Sequence, residues 1–141
     1  MKILVTGADG YLGWPFISSL SLKYPKANIV GIDNAYRRRW VKNLKSDTAI
    51  KIASFSDRKK FLKKINKNND YLNFDLTNFK KVDYIIKKNK FDLIFNLAAQ
   101  PSAPFSIISA EHCNFTQNNN NQILRNFIWA LKKNNKEKTC F

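Results

Sequence analysis

Hydrophobic and polar positions along the chain repeat with two periods, one typical of strands and the other of helices. The first run, KILVT, is short, apolar and followed directly by glycine, which predicts a buried strand that ends in a turn. Behind the turn, apolar side chains recur at helical spacing at Leu12, Phe16, Ile17, Leu20 and Tyr24. Pro25 stops this helix, and the apolar run NIVGID then predicts a second strand.

Two more strands and two more helices are predicted in the centre of the chain. YLNFDL is the third strand and FDLIFNLA the fourth, whose unbroken apolar character predicts burial on both faces. Before the third strand, Asp57 is the candidate N-cap of a helix that carries Phe61, Leu62 and Ile65. After it, Thr77 is the candidate N-cap of a helix that carries Phe79, Val82, Ile85 and Ile86.

The remaining segments comprise one helix, the start of a strand and two irregular connections. The last helix is predicted from about Asn114 to Asn134, with apolar positions at Ile123, Leu124, Phe127, Ile128 and Leu131. KTCF behind it has the pattern of a strand's first residues. From Asn34 to about Ser56 the chain is irregular and basic, a length typical of a functional or disordered connection. A loop with Pro101 and Pro104 follows the fourth strand.

Alternating strands and helices predict an α/β fold, a Rossmann-type doubly wound parallel sheet with about four strands and the start of a fifth. The 141 residues are enough for one domain and too few for two of ordinary size. We therefore expect residues 1–141 to form a single nucleotide-binding domain. In such sheets, ligands bind at the carboxyl ends of the strands, where the strand order switches.

Composition narrows the class of protein. The hydrophobic fraction of 44% is typical of a globular protein, and no stretch has the roughly 18 uninterrupted apolar residues of a membrane span. The glycine-rich turn begins seven residues from Met1, which leaves no room for a leader, so we expect a cytoplasmic protein. Cys113 and Cys140 are far apart and are expected to be reduced thiols. No metal site is predicted.

The charge balance raises a second class of function. Lys and Arg number 25 against 10 Asp and Glu, a formal net charge of +15. Such an excess is compatible with nucleic-acid binding, because clustered cations release counterions from phosphates. The lysines are scattered among many asparagines along the whole chain, which favours a solvated surface. A nucleic-acid surface and an acidic partner protein are the alternatives.

Three of the chain's four glycines lie between the first strand and the first helix, at intervals of three. In a dinucleotide-binding turn, such glycines allow the tight turn, the approach of the backbone to a pyrophosphate and the contact between helix and strand. The helix N-terminus would then direct free N–H groups at phosphate oxygens. The candidate cofactor contacts in this turn are Gly7, Asp9, Gly10, Tyr11, Leu12 and Gly13.

An acidic residue follows at the spacing that such a turn requires. Asp33 lies 20 residues after Gly13, at the end of the second strand. A carboxylate there accepts both ribose hydroxyls of an adenosine and repels a 2′-phosphate. The sequence therefore predicts NAD rather than NADP as the cofactor, with a purely structural glycine turn as the alternative.

The sequence resembles the extended short-chain dehydrogenase/reductase family, the NAD-dependent nucleotide-sugar epimerases and dehydratases. G-x-x-G-x-x-G after the first strand and NLAA at the end of the fourth carry the resemblance. Within that family, GADGYLGW, GIDNAYRRRW, IASFSDR, QPSAPFSII and FTQNNN resemble stretches of the UDP-sulfoquinovose synthases in the same order. These enzymes make the sulfonated sugar head group of sulfolipids from UDP-glucose and sulfite. The similarity runs from Lys2 to Phe141 but corresponds to well under half of a complete family member.

The resemblance implies a role for each matching residue. The implied contacts with the adenosine and the phosphates are Asp33, Asn34, Arg37, Arg38, Asp75 and Leu76. The nicotinamide ribose would lie against Leu97, Ala98 and Ala99. The sugar nucleotide or the sulfite path would be faced by Gln100, Ser102 and Ala103. Asn120 would order the active-site loop, and family members are often homodimers.

Structural alternatives for these residues remain open. The arginine run is compatible with a solvated loop, Asp75 with a strand-end cap, NLAA with sheet packing and Asn120 with a polar helix surface. A turn set by two prolines would equally explain the segment after the fourth strand. Two positions depart from the synthases, since Pro101 stands where they have an arginine and Ile123 where they have a glycine.

The resemblance also implies that catalytic residues are missing from this chain. The family uses a tyrosine base with a lysine four residues later, placed after the fifth and sixth strands. Tyr84 and Lys88 have this spacing, but they precede the fourth strand and are taken as a chance match. His112, the sole histidine, is expected to be structural or exposed. The chain alone is therefore predicted to be inactive, with no catalytic residue of its own.

Three hypotheses follow from these patterns. The first is the NAD-binding part of a nucleotide-sugar enzyme, either a UDP-sulfoquinovose synthase or an epimerase or dehydratase of another specificity, completed by a further segment or a second chain. The second is a non-catalytic NAD-binding module. The third is a basic nucleic-acid-binding protein. The fourth strand would lie at the edge of such an incomplete sheet, where an apolar strand promotes association.

Overall fold

The computed structural model describes residues 1–43 and 50–141 and forms one parallel sheet. Among these residues, the strands are β1 (Lys2–Thr6), β2 (Asn28–Asp33), β3 (Asp70–Asn73) and β4 (Leu93–Asn96). Their order across the sheet is β3-β2-β1-β4, and each neighbouring pair is parallel. The predicted Rossmann-type sheet is confirmed.

Helices connect the strands and cover both faces of the sheet. In the described part of the chain they are α1 (Gly13–Lys23), α2 (Tyr36–Asn43), α3 (Phe55–Ile65), α4 (Phe79–Lys88), α5 (Ala103–Ser106) and α6 (Ala110–Lys133). α1 and α3 pack on one face, and α4 and α6 pack on the other. None of these helices combines the length and the apolar character that crossing a membrane requires.

The hydrophobic core divides into two clusters because alternate residues of each strand point to opposite faces of the sheet. The cluster under α1 and α3 includes Ile3, Val5, Ile17, Ile29 and Leu62. The cluster under α4 and α6 includes Leu4, Val30, Ile32, Ile86 and Phe127. Each side chain of this size contributes about 1.5–3 kcal/mol by its burial. The two clusters hold the carboxyl ends of β1, β2 and β4 in fixed positions.

The strand order reverses at β1, and this reversal positions the site. From β1 the chain moves outward to β2 and β3 on one side, and it returns to the other side of β1 for β4. The connections therefore leave a crevice at the carboxyl end of β1, between the segments that follow β2 and β4. Ligands of doubly wound sheets bind in such a crevice.

Two helices lie where the sequence predicts irregular connections. α2 occupies the start of the basic segment after β2. Residues 50–54 are irregular as predicted, and the part of that expectation that falls on residues 44–49 lies outside the described residues. The sequence of α2, YRRRWVKN, has no apolar stripe. The helix is anchored by ring contacts of Trp40 with distant residues and by hydrogen bonds of Arg38 to Asp9 and Ala53.

α5 lies within the predicted loop that contains Pro101 and Pro104. Ser102 caps this helix, and Pro104 lies in its first turn, a position that tolerates proline.

Three predicted helix starts are corrected by the capping geometry. Ser54, not Asp57, caps α3, because its hydroxyl accepts the Asp57 N–H at 3.0 Å. Asn78, not Thr77, caps α4, since the Thr77 hydroxyl instead donates to a neighbouring carboxylate. α6 begins at Ala110, four residues before the predicted Asn114, because Ser109 caps it. In each case a serine or asparagine directly before the first helical residue accepts a backbone N–H of the first turn, as an N-cap does.

The prediction that the fourth strand is buried on both faces is confirmed in part, since Ile94 belongs to the cluster under α4 and α6, while the half-buried Leu93 and Phe95 pack against the cluster under α1 and α3. Within β4 only Ile94 is buried, because β4 lies at the edge of the sheet and has a β-strand partner on one side. The predicted start of a fifth strand is a single parallel bridge, in which the Ile94 N–H donates to the Cys140 carbonyl at 2.8 Å. Five apolar positions of the predicted helix faces are also exposed, namely Leu12, Tyr24, Phe61, Leu124 and Ile128.

Candidate functional site

A cavity of about 280 Å³ lies at the carboxyl end of β1. It is bounded by the turn after β1, the end of β2 and the segment after β4, which are the positions that the strand order predicts. Fourteen of the predicted site residues line it: Gly7, Asp9, Gly10, Tyr11, Leu12, Gly13, Asp33, Asn34, Arg37, Leu76, Leu97, Ala98, Ala99 and Gln100. Five lie outside its lining: Arg38, Asp75, Ser102, Ala103 and Asn120.

The absence of a Cβ has a different consequence at each of the three glycines of the turn. Gly7 has a φ of +62°, and a Cβ there would lie 2.5 Å from the Leu97 carbonyl oxygen. A Cβ on Gly13 would lie 1.9 Å from the Gly7 carbonyl oxygen, so the first turn of α1 could not pack on the loop. A Cβ on Gly10 would meet only the Gly7 oxygen, at 3.1 Å, and would otherwise point into open space. The packing of the fold therefore does not require glycine at position 10, and the missing Cβ leaves space for a ligand.

The start of α1 is available to an anion. Leu12, its N-cap, makes no side-chain capping bond, and the first turn carries no acidic residue. The N–H groups of Tyr11 and Leu12 have no acceptor among the residues that the structure describes. Free N–H groups at the positive end of a helix bind phosphate groups. Together with the space beside Gly10, this geometry fits the pyrophosphate of a dinucleotide.

Asp33 is held in place by two backbone N–H groups. Its Oδ1 accepts the Ala35 N–H at 2.7 Å, and its Oδ2 accepts the Asp9 N–H at 3.0 Å. Burial raises the pKa of the Asp33 carboxyl, although these hydrogen bonds oppose the shift. Ala35 has a φ of +56°, which turns the chain away from β2 and exposes the carboxylate to the cavity. The remaining lone pairs of Asp33 can accept the hydroxyl groups of a ribose.

The Asp9 side chain binds two arginines, Arg38 of α2 and Arg58 of α3. Its carboxylate is 5% exposed and accepts Arg58 Nη1 at 2.6 Å and Arg38 Nη2 at 2.8 Å. It also accepts the Tyr71 hydroxyl at 3.1 Å. The carboxylate predicted to contact the cofactor is therefore already paired, while the Asp9 backbone supports Asp33. Of the two arginines predicted near the adenine and phosphates, Arg37 lines the cavity and Arg38 points to Asp9.

The predicted adenine end is built by the segment after β3. Leu76 lines the cavity and is 4% exposed, and its carbonyl accepts Asn126 Nδ2 from α6 at 2.8 Å. The Asp75 carboxylate accepts the N–H and the hydroxyl of Thr77, both at 2.8 Å. Asp75 thus forms the strand-end cap that the sequence left open as an alternative. Phe74, which sequence reasoning did not include, completes this wall.

The segment after β4 is fixed by a buried threonine that sequence reasoning missed. Thr6, the last residue of β1, donates its hydroxyl to Asn96 Oδ1 at 2.7 Å. Thr6 Oγ1 also accepts the N–H groups of Leu97 and Ala98, at 3.1 and 3.2 Å. The predicted nicotinamide wall is therefore hydrogen-bonded to the strand that carries the glycine turn. A polar residue at the end of an apolar strand was the available signal.

Gln100 presents an unpaired donor beside the cavity. The residue is 4% exposed, and its Nε2 has no hydrogen-bond partner among the described residues. Asn120 from α6 holds its backbone, accepting the Gln100 N–H at 2.8 Å and donating to the carbonyl at 3.2 Å. Ser102 caps α5, and Ala103 is exposed in its first turn. Asn120 thus orders the loop, and Gln100 is the predicted substrate residue with a free polar atom.

Aromatic residues close the cavity on the side of α2, and the sequence did not single them out. Trp40 stacks on Tyr36 with ring centroids 5.7 Å apart, and both line the cavity. Trp40 also contacts Phe105 of α5 at 5.4 Å and Phe115 of α6 at 6.1 Å. α2 therefore reaches from the end of β2 to the helices that follow β4. The aromatic residues flanking the arginine run were the only local signal.

Of the other residues that the sequence analysis named, two line the cavity and two do not. Pro101 and Ile123, the two departures from the synthases, both line the cavity. Tyr84 lies on the outer surface of α4 and is 62% exposed. The His112 ring packs on Phe105 and contacts the Ser109 hydroxyl, so it supports the start of α6. Among the described residues, no cluster of His, Cys, Asp and Glu has metal-binding geometry.

Comparison with known proteins places this geometry in a family. The sequence model of the NAD dependent epimerase/dehydratase family matches residues 3–141. The UDP-sulfoquinovose synthase of Sulfolobus acidocaldarius is 36% identical over 121 residues, which cover 85% of this chain and 30% of that protein. The chloroplastic UDP-sulfoquinovose synthase of Spinacia oleracea is 28% identical over 137 residues, covering 96% and 28%. The chain thus spans less than a third of the length of these curated relatives.

A solved structure shares the fold. The UDP-glucuronic acid 4-epimerase of Bacillus cereus, crystallised with UDP-glucuronic acid and NAD, superposes with a TM-score of 0.63 at 22% identity. The superposition covers 94% of this chain and 36% of the epimerase. At this identity the likeness concerns the fold alone.

Proposed function

This chain belongs to the NAD dependent epimerase/dehydratase family, and on that premise we propose that it is the cofactor-binding part of an enzyme that modifies a nucleotide sugar. NAD is the cofactor of the family, and when bound it supplies a hydride acceptor. The observation that carries the proposal is the single cavity shared by an open helix N-terminus, the space beside Gly10 and the Asp33 carboxylate.

Different residues around the cavity would bind different parts of NAD. The N–H groups of Tyr11 and Leu12 would hold the pyrophosphate, and Asp33 would accept the adenosine ribose hydroxyls. Leu76 would lie against the adenine. The segment from Leu97 to Ala99, fixed by the Thr6 hydroxyl, would support the nicotinamide ribose. Each of these binding residues lines the cavity.

The substrate proposal is a sulfite-dependent synthesis of UDP-sulfoquinovose from UDP-glucose, a step that supplies sulfolipid head groups. It is supported by the 36% identity with the archaeal synthase. It is also supported by the unpaired Gln100 Nε2 beside the cavity, a donor suited to a sugar hydroxyl or a sulfonate oxygen. The catalytic tyrosine and lysine would come from a further segment or a second chain.

Pro101 supports a second candidate function, an epimerase or dehydratase of another specificity. It lines the cavity where the synthases have an arginine, so this chain offers one cation fewer to an anionic sulfur nucleophile. A non-catalytic NAD-binding module is the third candidate, since the chain spans about 30% of the archaeal relative. We place all three in the cytoplasm, which fractionation of source cells would test.

The first experiment is to determine the native mass of the gene product and to incubate that product with NAD, UDP-glucose and sulfite. Mass spectrometry should show UDP-sulfoquinovose only when sulfite is present. Conversion of UDP-glucose without sulfite would support an epimerase or dehydratase instead. Calorimetric NAD binding without any conversion would favour the non-catalytic module. Loss of binding to single-stranded nucleic acid with rising salt, unchanged by Asp33→Ala, would favour the basic nucleic-acid binder.

A further inference from the structure

Arg38 stands where an NADP-binding protein would place a cation. It follows Asp33 by five residues, in the first turn of the helix after β2. In dinucleotide-binding folds, an arginine near this strand end accommodates the 2′-phosphate of NADP. Arg38 donates to the Asp9 carboxylate, and the backbone N–H of the same Asp9 donates to the Asp33 carboxylate at 3.0 Å. Arg38 is therefore within electrostatic range of the predicted ribose acceptor.

The guanidinium is nevertheless turned away from the ribose position. Both its Nε and its Nη2 donate to the Asp9 carboxylate, and Nη2 also donates to the Ala53 carbonyl at 2.8 Å. This two-bond arrangement is the strongest geometry for an arginine and a carboxylate. Asp9 thus removes Arg38 from the set of residues that line the cavity.

Asp9 balances the charges of the cluster that it forms with Asp33, Arg38 and Arg58, and Arg37, which lines the cavity, is not part of this cluster. Asp9 and Asp33 are joined by a backbone hydrogen bond of 3.0 Å, and Asp9 binds Arg38 and Arg58. Two carboxylates therefore face two guanidinium groups. Without the Asp9 charge, the same cluster would carry one excess positive charge beside Asp33, and Arg38 would lose its strongest acceptor.

We infer that Asp9 is a specificity-determining residue, which sequesters Arg38 and so keeps the site selective for NAD over NADP. The inference rests on the proposed binding of NAD at this cavity. It gives Asp9, the first residue of the turn's Asp9-Gly10 pair, a role that differs from the repulsion by Asp33. Asp33 disfavours the 2′-phosphate directly, whereas Asp9 withholds the cation that would attract it.

The test compares dissociation constants of NAD and NADP, measured by calorimetry at one salt concentration. Asp9→Asn is the direct variant, but it would leave the buried Arg58 without a carboxylate. The double variant Asp9→Asn with Arg58→Met removes both buried charges and leaves only the partly exposed Arg38 free. Arg58→Met alone, in which Asp9 still holds Arg38, is the first control. Asp70→Asn, which frees Lys59 at the amino end of β3, is the charge-matched control.

We expect the ratio of the NADP to the NAD dissociation constant to fall at least about tenfold in the double variant, the size of one charge-assisted hydrogen bond. Both controls should keep the ratio of the unmodified protein. Adding Arg38→Met to the double variant should restore that ratio. This restoration separates a contact made by Arg38 from a general gain of positive charge.

Two results would overturn the inference while leaving the proposed function intact. One is an unchanged ratio in a double variant that still binds NAD. The other is a lowered ratio that persists after Arg38→Met is added. If the unmodified protein binds neither NAD nor NADP, the proposed function fails and the inference fails with it.

Discussion

At the scale of single residues, backbone space and one buried carboxylate define the candidate site. Gly13 is needed by the fold, because a Cβ would collide with the Gly7 carbonyl, whereas Gly10 faces open space. Asp33 is positioned by the N–H groups of Asp9 and Ala35. The same short turn therefore contains residues that serve the fold and residues that serve the ligand, and substitutions can separate the two.

Gly13→Ala should mainly lower stability, whereas Gly10→Ala should mainly weaken NAD binding. Gly13→Ala should lower the free energy of unfolding by about 3 kcal/mol or more, because its Cβ cannot fit against the loop backbone. Gly10→Ala should change it by less than about 1 kcal/mol, since φ is not positive and the added carbon meets one atom.

Urea unfolding followed by NAD titration checks this pair. Gly10→Ala should weaken NAD binding at least about tenfold, because its methyl group would occupy the pyrophosphate approach. A Gly10→Ala protein that unfolds and binds NAD as the unmodified protein does would contradict this role for Gly10.

Asp33 should make NAD affinity depend on pH. Burial raises the pKa of its carboxyl above the usual 3.8, and the ionised form is the better acceptor for ribose hydroxyls. NAD affinity should therefore rise as the pH increases through that raised pKa. The same burial penalises ionised Asp33 in the folded protein, so its unfavourable effect on stability disappears as the pH falls.

Calorimetric NAD titrations across the acid range would measure this dependence. Asp33→Asn should remove the pH dependence and weaken binding about tenfold at neutral pH. Asp70→Asn is a matched control at the other end of the neighbouring strand. A pH profile that Asp33→Asn leaves unchanged would assign the titration to another group.

At the scale of elements, the helices differ in what stabilises them. α4 and α6 present buried residues to the sheet at helical spacing, so the apolar pattern by itself predicts them. α2 has none of this pattern and depends on the rings of Phe105 and Phe115 in two other helices. α3 combines a buried face with a reciprocal cap, in which the Ser54 hydroxyl also donates to the Asp57 carboxylate at 2.6 Å.

The cap of α3 offers a test at this scale. Ser54→Ala should reduce the free energy of unfolding by about 1 kcal/mol, because the Asp57 N–H loses its acceptor. Ser56→Ala, an exposed change within the same helix, should be neutral or slightly stabilising through helix propensity. Chemical denaturation of both variants measures the difference. Equal destabilisation by the two substitutions would show that Ser54 is not the effective cap.

At the scale of the whole molecule, β1 is the centre of the arrangement. It pairs with β2 and β4, its last residue fixes the segment after β4, and its glycine turn meets Asp33. The outer edge of β4 is paired by a single bridge at Cys140, which leaves Phe95 and Asn96 without a strand partner on that side among the described residues. Ligand binding across the strand ends should therefore stabilise the sheet as a unit.

NAD at 100 times its dissociation constant should stabilise the 141-residue chain by about 2.7 kcal/mol, because only the folded form has the site. Thermal melts with and without NAD should show this as a higher midpoint and less aggregation. Asp33→Asn, which should bind NAD about tenfold more weakly, should reduce the stabilisation to about 1.4 kcal/mol at the same NAD concentration. A sharp, soluble melt that NAD leaves unchanged would contradict both the binding and the expected weakness of the β4 edge.

The sequence by itself determined the sheet, the glycine turn and the acid that follows β2. These features depend on neighbouring residues, because strand and helix periods, the missing Cβ of glycine and the position of Asp33 at a strand end are local properties. The cofactor follows from the same short segments, and the family confirms it.

Only the tertiary structure decided which polar groups are free to act. Arg37 and Arg38 are adjacent and chemically identical, yet Arg38 is bound by the Asp9 carboxylate, 29 residues away. Arg58 binds the same carboxylate from 49 residues away. The edge position of β4, the anchoring of α2 through Trp40 and the unpaired Gln100 Nε2 likewise depend on segments distant in sequence. Such partners are set by how the packed elements meet, which no local pattern encodes.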